Sequence, residues 1–501
     1  MLGFGDLFYG LSVVLTLNNI IYCFAGCVIG TLVGVLPGLG PVAAMSLLFP
    51  VTLHIPPVSA LIMMAGIYYG AMYGGSTTSI LVNIPGEAAS VITCLDGYQM
   101  ARQGRAGVAL GMSALGSFIG GTLSIVALQL IAPPLAQVAL AFGFPEYFSL
   151  ICCGLVVLTF MARGSMAKAL MMAAFGIFLG TVGTDLFTGV QKFTFGIKIL
   201  YDGLGIVPVI MGLFGISEVL LNIEEGITRE VFNTEIKNLF PNLRDWADAG
   251  WPIVRGTGIG FFLGILPGAG PVISSFTSYA IEKKTSKYPE KFGTGVIQGV
   301  AGPETANNAA VGGAFVPLLT LGIPPTPSMA LLLGCLLSYG VQVGPLLIKN
   351  NPDIFWGVVA SMYIGNVMLL VLNLPLIGLW VKILKVPYAI LFPLILLFCV
   401  VGVYSINTTT DEVVLMIVFG VIGYLMKKFA YEAAPMVMAM ILSPLMENNL
   451  RQSLALSHGS ILIFFARPIS AVLMITAIAL LVLPNLPWLK RKKWEDLETT
   501  E

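Results

Sequence analysis

The sequence has little charge for its size. Only 10% of its 501 residues are Asp, Glu, Lys or Arg, whereas soluble globular domains carry about 25%. Hydrophobic residues make up 57%, and the mean hydropathy is +0.92. The 25 basic and 25 acidic residues cancel, which leaves no net charge to attract nucleic acid or an acidic partner. The composition excludes a soluble domain and predicts a chain that crosses a membrane many times.

The signatures of several enzyme classes are also missing. The two histidines, His54 and His458, have no companion ligands, and the seven cysteines lie mostly in apolar stretches. Neither GxGxxG after a strand nor GxxxxGK[ST] occurs, so no nucleotide site is predicted. The Ser/Lys, Asp/Asp and His-Glu-x-x-His arrangements of intramembrane enzymes are absent. We therefore expect no enzyme, no organic cofactor and no metal, apart from Na⁺ as a candidate coupling ion.

Glycine and proline, in contrast, are abundant, and they form a phrase that occurs twice. Residues 30–42 read GTLVGVLPGLGPV and residues 260–272 read GFFLGILPGAGPV, with eight of thirteen positions identical. Proline removes a backbone donor and glycine lowers helix stability. The phrase therefore predicts helix breaks at Pro37–Pro41 and Pro267–Pro271. Inside a membrane such breaks persist only where protein or a wet cavity satisfies the freed backbone groups.

The charges around the two copies differ. Lys and Arg favour cytoplasmic loops, and both flanks of segment 251–282 are basic. The first copy has bare flanks, because no Lys or Arg precedes Arg102. This asymmetry predicts two re-entrant hairpins that enter the membrane from opposite faces. The N-terminus would then be periplasmic and the C-terminus cytoplasmic.

These patterns predict an all-α polytopic membrane protein with an inverted-topology repeat, re-entrant hairpins and broken helices. The predicted parts are a first inverted repeat (1–222), a cytoplasmic linker (223–250), a second inverted repeat (251–486) and a cytoplasmic tail (487–501).

Each half also has a second polar interruption. Residues 74–87 read GGSTTSILVNIPGE, and residues 302–313 read GPETANNAAVGG, followed by LGIPPTPS at 321–328. Hydroxyls and carboxamides are expensive in hydrocarbon unless they face partners or water. We predict broken helices near 74–86 and 303–327. Paired breaks in the two halves of an apolar chain are the best sequence pointer to a transporter's binding site.

The breaks suit a small anion and a cation. A restarting helix offers free N–H groups, glycine allows close approach, and hydroxyl or amide oxygens coordinate Na⁺. The predicted substrate-binding residues are Gly38, Gly40, Ser76, Thr77, Thr78, Gly268, Gly270, Asn307 and Asn308. The predicted cation-binding residues are Ser79, Asn83, Glu304 and Thr305. The alternative is structural, since small residues also permit close helix contact and hydroxyls bond to their own helix.

The remaining acidic residues receive simpler interpretations. Glu304 is interpreted equally as a cation or proton site and as a helix cap. Glu87 and Asp96 are expected to be solvated near a membrane interface, and Asp185 to be solvated at an outer boundary.

Several motifs resemble those of a known family. They are GVLPGLGP (34–41), YGGSTTSILVNIPGE (73–87), LDGYQMARQGRAG (95–107), LGILPGAGP (263–271), the stretch 303–334 and RPISAVL (467–473). The chain is similar along nearly its whole length to the large membrane subunit of the tripartite tricarboxylate transporters, the TctA family. Pro-Pro-Thr-Pro-Ser at 324–328 departs from the commoner pattern, in which a Gly often follows the first Pro.

The resemblance implies secondary active import of a small carboxylate such as citrate, usually cation-coupled, across a bacterial inner membrane. It also implies a periplasmic solute-binding protein and a small membrane subunit as partners. From the repeat we expect an elevator-like symporter. The alternative is a passive carboxylate or anion channel, which would need a continuous polar lining.

Overall fold

A computed structural model describes residues 4–36, 40–161, 165–185, 188–225, 238–383 and 388–482. These residues are helical except for loops and a hairpin of two-residue strands, which confirms the all-α prediction. Within the described ranges, five helical stretches are long and apolar enough to cross a membrane. They are Leu17–Val35, Pro57–Val82, Thr93–Ala139, Ile206–Glu224 and Pro352–Asn373.

The described residues up to 225 form ten α-helices and two strands. The elements are α1 (Phe4–Val14), α2 (Leu17–Val35), α3 (Gly40–Thr52), α4 (Pro57–Val82), α5 (Thr93–Met100), α6 (Ala106–Ala139), α7 (Phe144–Phe160), α8 (Met166–Gly180), β1 (Gly183–Thr184), β2 (Gln191–Lys192), α9 (Ile206–Ile210) and α10 (Ser217–Glu225). Short 3₁₀ turns occur at Ala88–Val91 and Lys198–Leu200, and π-helical segments at Ala101–Arg105 and Met211–Ile216.

The described residues from 238 onward form twelve more helices. They are α11 (Leu243–Ile265), α12 (Gly270–Thr285), α13 (Gln298–Leu321), α14 (Pro327–Ser338), α15 (Leu347–Asn350), α16 (Pro352–Asn373), α17 (Ile377–Ile383), α18 (Tyr388–Asn407), α19 (Thr410–Lys428), α20 (Ala433–Leu456), α21 (Ile463–Ala466) and α22 (Pro468–Val482). A 3₁₀ turn precedes α13 at Pro289–Lys291. Residues 226–237 of the predicted linker and the predicted tail at 487–501 lie outside the described residues.

The chain divides into two compact units. The first unit comprises residues 1–139 and 205–428, and the second comprises 140–204 and 429–501. The first unit contains both copies of the repeated phrase.

Both copies end a helix, as the sequence predicts. In the first copy α2 ends at Val35 and α3 begins at Gly40. In the second copy α11 ends at Ile265 and α12 begins at Gly270. We call these helix pairs the first and second hairpins.

Glycines pack each hairpin against the next long helix. A Cβ atom on Gly26, Gly30 or Gly34 of α2 would lie 2.2–2.5 Å from backbone carbonyl oxygens of α4. Those oxygens belong to Met63, Ile67 and Ala71. Only glycine permits so close a contact between helices.

The second half repeats the same contact at equivalent positions. A Cβ on Gly256, Gly260 or Gly264 of α11 would lie 2.2–2.5 Å from carbonyl oxygens of α13. Those oxygens belong to Gly302, Ala306 and Ala310. The glycines of the two halves are 230 residues apart, and their partners are 239 apart. The repeated phrase thus encodes repeated packing as well as repeated sequence.

The second interruptions fall inside the predicted ranges 74–86 and 303–327, near the C-terminal limit of each. Helix α4 continues through 74–82 to Val82, and α13 continues through 302–313 to Leu321. The glycine doublets lie at close contacts with neighbouring helices: a Cβ on Gly74 or Gly313 would lie 2.2–2.3 Å from a carbonyl oxygen of α2 or α11. The helices end instead at Asn83 (φ 58°) and Gly322 (φ 71°), both left-handed, each followed by Ile-Pro.

The second unit contains α7, α8 and α20–α22 and a buried ion cluster. Asp185 is 6% exposed, and its carboxylate lies 2.5 Å from the Lys192 ammonium and 2.7 Å from the Arg451 guanidinium. The expectation that Asp185 is solvated is therefore wrong, because two basic side chains neutralise it inside the unit. The sequence does not reveal this pairing, since Arg451 follows Asp185 by 266 residues.

A second ion pair in this unit allows a stability test. Arg467 lies 2.5 Å from Glu146, whose side chain is only 3% exposed and also accepts the Gly143 N–H. We expect Arg467→Ala to destabilise the second unit by about 2 kcal/mol, because it leaves a buried carboxylate without its partner. Thermal unfolding of the detergent-purified protein measures the loss. Lys198→Ala, at an exposed position of the same unit, is the control and should leave the unfolding temperature unchanged.

Candidate functional site

A fully buried carboxyl group lies in the first unit. Glu304 of α13 has 0% exposure, and three hydroxyl groups from the first half of the chain contact its carboxylate. Ser76 Oγ of α4 donates to Oε2 at 2.5 Å, and Ser113 Oγ of α6 donates to the same oxygen at 3.1 Å. Thr93 Oγ1 of α5 donates to Oε1. We call Glu304, Ser76, Thr93 and Ser113 the carboxyl cluster.

Small residues on α6 bring this cluster together. A Cβ on Gly120 would lie 2.6 Å from the Thr305 carbonyl oxygen, so α6 and α13 are in backbone contact. Ser113 and Ser117 share this face of α6, and Ser117 Oγ donates to the Glu304 carbonyl at 3.5 Å. Serine at such positions permits the close approach and also supplies a hydrogen bond.

The two predicted carboxamides point to different partners. Asn308 Nδ2 donates to Ser117 Oγ at 2.7 Å and to the Glu304 carbonyl at 3.1 Å. Asn307 Nδ2 donates to Glu87 Oε1 at 3.3 Å. Both side-chain oxygens are buried and, among the described residues, have no hydrogen-bond donor. Buried polar atoms without partners are rare, so these two acceptors are available for a ligand or water.

Glu87 is buried, contrary to the expectation that it is solvated at an interface. It is 7% exposed and caps the short helix 88–91, with Ala89 N donating to Oε2 at 2.6 Å. The Ala89 N–H and the Asn307 amide donate to the Glu87 carboxylate in place of the water expected from the sequence.

The contact between Glu87 and Asn307 has a counterpart in which the roles of the two halves are exchanged. Tyr68 OH lies 3.4 Å from Thr326 Oγ1, and Thr326 caps α14 as Glu87 caps residues 88–91. Tyr68 and Asn307 are 239 residues apart, and so are Glu87 and Thr326. Each half therefore presents a polar side chain on its long helix to the cap of the other half.

The turn of the second hairpin lies against Thr326, the cap of α14. Its turn residue Gly268 has φ 81° and donates its N–H to the Pro325 carbonyl at 3.0 Å. Gly270 has φ 51°, and a Cβ there would lie 3.0 Å from Thr326 Cγ2. In the first hairpin Gly40 begins α3 with φ 60°, and Gly38 lies outside the described residues.

A small cavity lies beside Asn308. Its volume is about 20 Å³, enough for one water molecule. The lining residues are Tyr69, Gly121, Ser124, Ile125, Asn308, Val311, Gly312, Met362 and Asn366. The space is too small for a carboxylate substrate in this conformation.

The remaining predicted residues are not assembled at one point. Thr77 is buried, and Thr78 Oγ1 donates to the Val35 carbonyl at 2.9 Å, which satisfies the end of α2. Ser79 and Thr305 donate to carbonyls of their own helices, and Asn83 is exposed. The structural alternative thus accounts for the hydroxyls of Thr78, Ser79 and Thr305.

Asp96 is also buried, and the expectation of solvation at an interface is wrong. It is 0% exposed, and its carboxylate accepts the N–H groups of Gly293, Gly295 and Val296 at 2.8–3.1 Å and the Tyr279 hydroxyl at 2.9 Å. Four donors from the second half replace water around a carboxylate of the first half. Asp96 therefore fastens the loop before α13 to α5.

Sequence reasoning missed Thr93, Ser113 and Ser117. The available signal was the spacing of small residues in α6, where serines alternate with glycines every three or four positions from Ser113 to Ser124. Such a face indicates helix contact, and its hydroxyls must then find partners there. Nothing in the local sequence around Thr93 points to Glu304, which follows it by 211 residues.

The comparisons with known proteins identify the family. The model of the tripartite tricarboxylate transporter TctA family matches residues 20–438. The chain belongs to this family. It is 49% identical over 488 residues, or 97% of each chain, to an "uncharacterized 52.8 kDa protein in TAR-I ttuC' 3'region" of Agrobacterium vitis.

A second relative from Agrobacterium vitis, an "uncharacterized protein in TAR-II ttuC' 3'region", is 47% identical over 234 residues. The match spans 47% of this chain and 97% of that protein. No solved structure matches the chain. As a TctA family member with several long apolar helices, the protein is a multi-pass membrane component of a transporter, and the family is not an enzyme family. Within the described ranges no group of three His, Cys, Asp or Glu residues is placed to hold a metal.

Proposed function

We propose that this TctA family protein is the large membrane subunit of a secondary transporter that imports a small carboxylate, such as citrate or a related acid. Import would be cation-coupled across a bacterial inner membrane. A periplasmic solute-binding protein would deliver the substrate, and a small membrane subunit would pack beside this chain. Family membership supports the transporter class. The reciprocal contacts of Tyr68 with Thr326 and of Asn307 with Glu87 support a carrier mechanism built on two repeats.

Those contacts support alternating access. Polar helix residues meet helix caps in both halves, at positions 239 residues apart in each case. Carriers built from repeats place their binding site where the repeats meet, and they work by moving one part against another. We propose that residues 1–222 and 251–486 form an inverted repeat with the N-terminus periplasmic and the C-terminus cytoplasmic. The hairpins would belong to the moving part of an elevator.

The chemistry around the second hairpin supports a carboxylate ligand. Glycine keeps positions 268 and 270 of the turn free of side chains, and α12 starts beside it without a side-chain cap. Helix starts favour anions, and carboxamide or hydroxyl groups donate to carboxylate oxygens. We propose that the substrate binds between this turn and Asn307 in a more open conformation.

One variant tests the substrate assignment of Asn307. We expect Asn307→Ala to raise the substrate concentration for half-maximal uptake about tenfold, because it removes the second N–H of the buried amide, which would donate to a charged ligand. Uptake of radiolabelled carboxylate by cells that lack the native gene measures the change. Asn350→Ala, an exposed position, is the control. An unchanged half-maximal concentration in Asn307→Ala would remove Asn307 from the site.

The identity of the carboxylate requires the binding partner. Calorimetric titration of the cognate binding protein with a panel of mono-, di- and tricarboxylates measures its affinity for each. We expect it to bind one of these classes more tightly than the others. Failure to bind any carboxylate would contradict the proposed substrate class.

A further inference from the structure

The carboxyl group of Glu304 is enclosed by neutral donors only. It is fully buried, and its contacts are the hydroxyls of Ser76, Thr93 and Ser113. Among the described residues, no Lys, Arg or His lies within ion-pair distance of it. An isolated carboxylate is costly to bury, so this group needs either a proton or a cation.

The surrounding titratable side chains do not supply a positive charge. Tyr73 of α4, Cys94 of α5 and Glu87 are close enough to Glu304 to interact with its charge, and none of these three groups can carry a positive charge. Near the start of α13 lie Asp96, Tyr279 and Glu282, and the Arg255 guanidinium is bound to the Glu282 carboxylate. Helix α6, which packs along α13, has no titratable side chain.

The geometry favours a proton over a metal ion. The hydroxyl oxygens contact the carboxylate oxygens directly at hydrogen-bonding distance, which leaves no separate position for a cation between them. Glu304 does not line the nearby water-sized cavity. We propose that Glu304 is the residue that binds and releases the coupling proton of this transporter. This inference rests on the proposed function and specifies both the coupling ion and the residue that binds it.

Both charge states can be satisfied in place. The ionised carboxylate accepts from the three hydroxyls. When Glu304 is protonated, its O–H donates to Ser76 Oγ, and the Ser76 hydroxyl turns to the Met72 carbonyl at 3.4 Å. No buried group loses its partner when the proton moves, so proton binding requires no local unfolding.

The cluster also couples the proton to movement. Its hydroxyls come from α4, α5 and α6 in the first half, while the carboxyl comes from α13 in the second. A shift between these helices removes donors from the carboxylate and changes its proton affinity. Proton release is thereby tied to one conformation, which is the requirement for symport.

The test uses proteoliposomes with the complete transporter, its binding protein and trapped pH-sensitive dye. Glu304→Gln imitates the protonated form, so substrate exchange, which needs no net proton movement, should persist in this variant. It should fail to concentrate substrate when a pH gradient is imposed. Each coupled proton supports about tenfold accumulation per pH unit, so a loss of that factor is expected. Glu290→Gln, an exposed position, is the control.

Ser113→Ala gives an independent readout. It removes one donor to the ionised carboxylate, so the pH dependence of uptake should move to higher pH, which a purely structural role would not produce. Retained pH-driven accumulation in Glu304→Gln, or accumulation driven by a Na⁺ gradient alone, would overturn the assignment. An absence of carboxylate exchange in the wild type would instead contradict the proposed function itself. If Glu304→Gln does not fold, an unshifted profile in Ser113→Ala decides against the proposal.

Discussion

Asp96→Ala is expected to destabilise the first unit by about 4 kcal/mol, because a buried acceptor of several charge-assisted hydrogen bonds is lost. The N–H groups of Gly293, Gly295 and Val296 would remain without their acceptor. The loop before α13 should then open. Thermal unfolding in detergent measures the stability, and hydrogen exchange of residues 293–296 measures the opening.

Two control variants distinguish the effect of losing these hydrogen bonds from the effect of removing any carboxylate. Tyr279→Phe removes one donor to Asp96, so we expect a smaller loss of about 1 kcal/mol. Asp248→Ala removes an exposed carboxylate from α11 and should have no effect. If Asp96→Ala unfolds at the wild-type temperature with slow exchange at 293–296, the fastening role of Asp96 is wrong.

The second large effect is expected for Gly260→Ala. A methyl group at this position would lie 2.2 Å from the Ala306 carbonyl oxygen, so α11 must move away from α13. Overpacking of this kind costs about 3 kcal/mol, and the separated helices also lose their neighbouring contacts. We expect a lower unfolding temperature and reduced substrate uptake, since the same movement displaces the second hairpin.

Helix α11 offers a matched control two residues away. Gly258 has no atom within 4 Å of its Cβ position, so Gly258→Ala adds a methyl group in open space. Alanine is the better helix former, and the variant should be at least as stable as the wild type. Equal stability of the two variants would contradict the role of close backbone packing.

The sequence predicts the helices well, because membrane segments must satisfy their own backbone and therefore read as long apolar runs. It also locates the two hairpin turns, where Pro-Gly-x-Gly-Pro cannot continue a helix. It predicts the second interruptions within 74–86 and 303–327, but it does not show that the helices continue through 74–82 and 302–313. There the glycines admit a neighbouring helix, and only the tertiary contact reveals it.

The polar residues show the same limit. Glu304, Asn307 and Asn308 lie within an apolar segment, where polar side chains are costly unless they have partners, and all three are buried. Their partners lie about 190 to 230 residues away along the chain, so no local pattern specifies them. Glu87, Asp96 and Asp185 are predicted to be solvated because partners such as Asn307, Gly295 and Arg451 lie far away in the sequence.

Concentrative uptake tests the central proposal most directly. Liposomes that contain this protein and its small membrane subunit are supplied with the cognate binding protein, radiolabelled carboxylate and an inward proton gradient. A secondary transporter should accumulate the carboxylate above the external concentration, only with the binding protein present, and should lose it when the gradient is collapsed. Uptake that stops at equal concentrations and needs neither gradient nor binding protein would contradict this account and indicate a channel.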